Sequence, residues 1–78
     1  MYKYKNTYEI IEKFETGTIE YGIVVTTVLI TPNNTEEIHT SSVKNVTSSY
    51  QTISYIKDIL EENDVQWMHL KDILQDLM

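Results

Sequence analysis

The chain contains no cysteine, no arginine and no alanine, and only one proline and two glycines. The lack of cysteine excludes disulfides and thiolate metal sites, and it leaves the redox compartment open. Arginine is the preferred residue for phosphate and base-edge contacts, so its absence argues against direct nucleic-acid binding. No apolar run approaches the ~18 residues of a membrane span, and the first residues do not follow a signal-peptide pattern. We therefore expect a cytoplasmic protein that does not enter a membrane.

Negative charge dominates the composition of the chain. Six lysines against twelve acidic residues give a formal net charge of −6. An acidic surface favours basic protein partners, including nucleic-acid-binding ones, by electrostatic steering, although the acidity can equally serve solubility alone. With 78 residues the chain is expected to form one small domain, residues 1–78, around a single core.

Two long segments predict a β-hairpin. From Tyr2 to Phe14 apolar side chains occupy even positions, with Ile11 the exception, and residues 19–30 are largely β-branched. The first segment is longer than a small globule, so we expect it to bend near Asn6-Thr7 or to overhang the domain. Thr16-Gly17 supply the turn.

The hairpin register follows from side-chain pairing. A two- or four-residue loop sets Phe14 opposite Ile19 on one face and Lys13 opposite Glu20 on the other. A slip of one residue would lose both agreements. The face predicted to lie against helices carries Tyr4, Tyr8, Ile10, Phe14, Tyr21, Ile23, Val25 and Leu29.

A turn at residues 31–35 leads to a weaker third strand over residues 36–46. Its apolar residues do not share one face, which indicates a bulge or an early exit, and its register stays open.

A capping box in which the Ser48 hydroxyl accepts the Gln51 amide predicts the start of a helix that ends at Asn63-Asp64. Asparagine is the expected left-handed residue at that end.

The last segment predicts a second helix that anchors the domain. Its apolar residues recur at helical spacing: Trp67, Leu70, Ile73, Leu74 and Leu77. Together these elements predict an α+β fold, a three-stranded antiparallel meander followed by two C-terminal helices packed on one face of the sheet.

Catalytic chemistry has few candidate residues. His39 and His69 lie on different elements, and no cysteine nucleophile exists. His69 and Asp72 stand three residues apart on one helix and can in principle share a metal, but a zinc site needs three or four protein ligands. We expect His69 to make local hydrogen bonds, and we predict no enzyme activity and no cofactor. Tyrosines and lysines alternate in the first strand, so they point to opposite faces and do not form a base-stacking platform.

Two surfaces are candidate protein interfaces. On the sheet face away from the helices, an apolar cluster suggests partner docking or homodimer formation, unless threonine and lysine side chains dilute it. The cluster comprises Ile11, Val24, Val28 and Ile30. On the helices, an acidic surface comprises Asp58, Glu61, Glu62, Asp72 and Asp76. Acids near a helix C-terminus oppose the helix dipole, and their presence there suggests a basic protein partner.

The segment 65–77 resembles a family of short proteins of unknown function from clostridia-like Gram-positive bacteria. The family ends in a His-Leu-Arg/Lys-Asp-x-x-x-Asp-Phe/Leu box, and this chain has His69-Leu70-Lys71-Asp72 with Asp76 and Leu77. Weaker similarity occurs at Tyr21-Gly22-Ile23 and Val46-Thr47. The chain departs from the pattern by Trp67-Met68 in place of a helix-opening proline. The resemblance implies a β-meander followed by two helices, and it implies no activity.

The leading hypothesis is a non-enzymatic, acidic protein-binding module. A narrower version is a phage or mobile-element inhibitor of a host nucleic-acid-binding complex, similar to anti-CRISPR proteins. The alternatives are a homodimeric structural protein and, less favoured, a metal-binding protein or enzyme centred on His69.

Overall fold

The computed structural model describes residues 3–77. Its elements are β1 (Lys3–Glu15), β2 (Thr18–Ile30), β3 (Glu36–Thr47), α1 (Tyr50–Glu62), a 3₁₀ turn (Trp67–His69) and α2 (Leu70–Leu77). The strands form one antiparallel sheet in the order β1-β2-β3, and both helices pack against it. The α+β meander with two C-terminal helices is therefore confirmed. Within residues 3–77, no helix has the length and apolar character needed to cross a membrane.

The predicted hairpin register is confirmed. Phe14 pairs with Ile19 and Lys13 with Glu20, and pairing continues along the whole of both strands. The loop has two residues, Thr16 and Gly17, with φ values of +47° and +80°. Two successive positive φ angles define the type I′ turn, whose twist matches that of the flanking strands. The pairing has no break at Asn6-Thr7, so the long hairpin gives the domain its 49 Å length.

The helices cover only the middle of the sheet. Ile23 and Val25 on β2 are fully buried there, with Tyr8 packed beside them. The expectation that helices cover this whole face is wrong at Phe14 and Tyr4, because Phe14 is 72% exposed and Tyr4 is also exposed. The reason is length: a 13-residue strand spans ~43 Å, whereas a 13-residue helix spans ~20 Å. Tyr2, also assigned to the first strand, lies outside the described residues.

The third strand contains the predicted bulge. Ile23 pairs with Val43, but Tyr21 pairs with Thr47, so three residues of β3 (44–46) stand opposite Gly22 alone. Asn45 in this bulge has a φ of +57°. A Cβ at Gly22 would lie 2.5 Å from the Val43 carbonyl oxygen, so the bulge requires glycine at this position.

Helix α1 begins one residue later than predicted. Ser49, not Ser48, is the N-cap, and its hydroxyl accepts the Thr52 amide at 3.3 Å. The helix ends in a Schellman motif: the Val65 amide donates to the Leu60 carbonyl and the Asp64 amide to the Glu61 carbonyl. Asp64, with a φ of +49°, is therefore the left-handed residue, rather than Asn63.

Helix α2 is shorter than predicted. The α-helix starts at Leu70, because Trp67 belongs to the preceding 3₁₀ turn. Leu70 and Leu74 are buried in the core, as expected, and Ile73 packs against it. Leu77, also predicted to lie on the apolar side of this helix, is 40% exposed. Within this C-terminal segment, the contacts with the core are therefore made by Leu70, Ile73 and Leu74.

Candidate functional site

A buried polar network joins the sheet to the connector between the helices. The Thr27 hydroxyl donates to Asn6 Oδ1 at 2.7 Å and accepts the Trp67 backbone N–H at 3.0 Å. The Asn6 amide nitrogen donates to Asp64 Oδ1 at 2.8 Å. Thr27 is completely buried, and its hydroxyl both donates and accepts a hydrogen bond, so its side chain links the sheet to the connector with no unsatisfied polar atom.

Tyr8 makes a second link to the same connector. Its hydroxyl donates to the Val65 carbonyl at 2.9 Å. Burial, followed by the nearby carboxylates of Asp64 and Glu61, raises the pKa of Tyr8 to about 12. The raised pKa favours the neutral phenol, which is the form that donates to the Val65 carbonyl.

Neither histidine lies in a constellation of ligands. His39 stacks on Trp67 with ring centroids 4.8 Å apart and planes 14° apart, and its Nε2 lies 3.7 Å from Glu37 Oε2. The His69 side chain is exposed, and its backbone N–H donates to the Gln66 carbonyl. Among residues 3–77, no three histidine, aspartate or glutamate side chains come close enough together to hold a metal ion.

The sheet face opposite the helices is covered by no element of the described chain. We call it the open face. Strand alternation places on it the predicted apolar residues and one that the sequence analysis did not assign, Ile38, which is 65% exposed and pairs with Val28. The open-face cluster comprises Ile11, Val24, Val28, Ile30 and Ile38, of which the first four are half-buried.

The acidic side chains lie on the exposed sides of both helices. Asp58, Glu61 and Glu62 are exposed on α1, whose last turn contains no basic residue. Lys57 Nζ lies 2.8 Å from Glu61 Oε1, and this hydrogen bond raises the pKa of Lys57. Asp72 and Asp76 are exposed on α2, with Asp72 in its first turn, where the helix dipole favours an anion.

A groove that the sequence did not indicate lies between β3 and α2. We call it the edge groove. It encloses about 620 Å³ and is lined by Ser42, Val43, Lys44, Lys71, Leu74 and Gln75. Because β3 is the last strand of the sheet, the groove runs along an open strand edge. Sequence reasoning missed it because the register of β3, on which the approach of α2 depends, was left open.

The comparison with protein families gives one match. A model described as "Family of unknown function (DUF6514)" covers residues 1–78, so the chain belongs to that family. No curated protein and no solved structure matches the chain. The clostridial origin and the specificity of the terminal box stay predictions.

Proposed function

We propose that this member of a family without an assigned activity is a non-enzymatic protein-binding domain that pairs with a second copy through its open face. The observation that carries the proposal is the open-face cluster. Five aliphatic side chains on the sheet face away from the helices are half-buried or exposed, with no described element over them. An uncovered cluster of aliphatic side chains on a sheet face often marks a protein interface.

Charge favours a second copy as the partner. On the open face, Lys5, Thr7 and Glu9 of β1 pair with Val28, Thr26 and Val24 of β2. A two-fold axis that crosses the strands at Thr26 would set Lys5 opposite Glu9 of the second copy. The same axis would set Val28 opposite Val24. A self-complementary patch of this type is what an isologous dimer requires.

The area of the open face fits a weak interface. With the axis at Thr26 the two sheets overlap over about nine residues of each strand, or ~30 Å, so three strands spaced ~4.8 Å apart present roughly 430 Å² per copy. Burying both copies would remove roughly 860 Å², which is the size of a weak, transient contact rather than of a standard specific complex. The dimer should therefore form and dissociate with concentration, unlike an obligate one.

Sedimentation equilibrium over a range of concentrations tests the proposal. The wild-type protein should show a monomer–dimer equilibrium, and the double variant Val28→Thr/Ile38→Thr should shift it toward monomer while circular dichroism shows a folded chain. Tyr55→Gln, which removes an exposed aromatic side chain from α1, is the matched control and should leave the equilibrium unchanged. A wild-type protein that stays monomeric at every concentration would overturn the proposal.

A second candidate function is binding of a basic protein by the acidic surface of the helices. It is supported by the exposure of Asp58, Glu61 and Glu62 on α1, where the helix dipole opposes them. Inhibition of a host nucleic-acid-binding complex is the narrower form of this proposal. A pull-down from host cells with wild type and with Asp58→Lys/Glu62→Lys tests it: a basic protein retained by wild type and lost by the variant supports it, and identical capture by both contradicts it.

A further inference from the structure

We infer that the edge groove is a second binding site, which takes an extended acidic segment of another protein as a fourth strand beside β3. The site lies next to α2, at the edge of the sheet where the backbone of β3 faces away from β2. It does not depend on self-association, and each proposal can fail without the other.

The backbone of β3 offers the hydrogen-bonding groups that an added strand needs. Thr31 and Thr35 form a hydrogen-bonded pair, with the Thr31 amide donating to the Thr35 carbonyl at 2.9 Å. Hydrogen-bonded and non-hydrogen-bonded pairs alternate along an antiparallel ladder, so the pair formed by Val24 and Ser42 is a non-hydrogen-bonded one. The N–H and C=O of Ser42 therefore point away from β2, toward the open edge of the groove.

The floor of the groove supplies apolar contact for one side chain of the segment. Val43 on β3 is half-buried, and Leu74 on α2 is buried except where it borders the groove. The volume of about 620 Å³ lies within the usual range for a binding cleft. An added strand would direct alternate side chains into it, as in other cases of strand addition to a sheet edge next to a helix.

Charge determines the kind of segment. Lys44 and Lys71 are the charged residues that line the groove, in a chain of net charge −6. Within residues 3–77, neither has a carboxylate oxygen within 4.0 Å, whereas Lys13 and Lys57 are each paired with a glutamate. Two lysines that line the same groove as the apolar residues Val43 and Leu74 fit a segment that carries carboxylates near an apolar residue.

The probe is a fluorescein-labelled peptide, Thr-Glu-Thr-Val-Thr-Glu-Thr, in which both glutamates and the valine share one face of a strand. Fluorescence anisotropy measures its affinity, and ¹⁵N-resolved spectra of the labelled protein locate it. We expect chemical-shift changes at residues 41–44 and 70–75. The same peptide with lysine in place of glutamate should not bind.

Matched variants make the test specific. Lys44→Gln/Lys71→Gln should weaken peptide binding roughly five- to tenfold. Lys13→Gln/Lys57→Gln makes the same change in net charge outside the groove and should leave binding unchanged. Ser42→Pro removes the outward N–H and should abolish binding, whereas Ser42→Ala should retain it. Equal binding of the lysine peptide, shift changes confined to the open face, or no binding at millimolar peptide would each overturn the inference.

Discussion

The Thr27 hydroxyl oxygen accepts the backbone N–H of Trp67 across 3.0 Å, from a side chain that is completely buried in the middle strand of the sheet. The same hydroxyl donates to Asn6 Oδ1. Asn6 in turn donates to Asp64, and the Tyr8 hydroxyl donates to the Val65 carbonyl, so three side chains of the sheet hold the connector between α1 and α2. The position of α2, and with it the shape of the edge groove, therefore depends on this network.

Replacing Thr27 with valine should destabilise the domain by ~1–3 kcal/mol. The replacement is nearly isosteric, but it leaves the Trp67 amide without its partner in a buried place. Urea unfolding monitored by the fluorescence of Trp67 measures the change. Thr26→Val, one residue away on the open face, is the control, and at a protein concentration low enough to keep the chain monomeric it should change stability by much less. Equal effects of the two variants would show that the buried hydrogen bond contributes nothing.

Replacing Gly22 with alanine should cost ~1–3 kcal/mol. The new methyl group would lie 2.5 Å from the Val43 carbonyl oxygen, and about 3.0 Å from the nearest side-chain atom of Ile11. Because the closest contact is with backbone, shortening the side chain with Ile11→Val should not restore stability. Thermal unfolding of the single and double variants measures the change in stability. Full rescue by Ile11→Val would show that the added methyl group clashes with the Ile11 side chain and not with the Val43 carbonyl.

The stability of the domain should fall as the pH rises from 10 to 12. Tyr8 has a pKa raised to about 12 in the folded chain, against an ordinary value of 10.0. Its contribution is complete below pH 10, and it is lost as the unfolded state, and then the folded state, loses the proton. Urea midpoints measured across this pH range should decline less steeply for Tyr8→Phe than for wild type. Parallel curves would contradict the account of Tyr8.

Replacing Glu62 with lysine should stabilise the domain by ~0.5–1 kcal/mol. The change removes an anion from the last turn of α1 and places a cation there, which the helix dipole favours. It also creates an Asp58–Lys pair at i, i+4 in the better orientation. Glu62→Gln should give part of the gain, and thermal unfolding at low salt measures both. A loss of stability in either variant would mean that Glu62 makes a favourable contact.

The hairpin was predictable because its information is local. Three local features predict the same register: the alternation of side chains, the turn at Thr16-Gly17 and the charge pair of Lys13 with Glu20. The structure has that register. The exposure of Phe14 was not predictable from side-chain alternation. Alternation assigns each residue to a face of the sheet, but it does not say how much of that face the helices cover.

The polar network left a signal that the sequence analysis did not use. In the predicted register Asn6 stands opposite Thr27, and each of these polar residues lies between apolar neighbours on the same face of its strand. That pairing indicates a buried hydrogen bond rather than a bend at Asn6. The sequence contains no comparable indication of the edge groove. Lys44 and Lys71 are far apart in sequence, and they line the same groove only because of the path of β3 and the placement of α2.

The central claim is that two copies pair through the open face. Exchanging the charges of Lys5 and Glu9 tests this claim most directly. Lys5→Glu and Glu9→Lys should each weaken the dimer, because each would place like charges opposite one another across the two-fold axis. The double variant Lys5→Glu/Glu9→Lys should restore it, since opposite charges face each other again. Sedimentation equilibrium at low salt measures all four proteins. Restoration by the double variant is the predicted result, and a double variant as weak as the single ones, or no dimer in any of the four, would contradict the account.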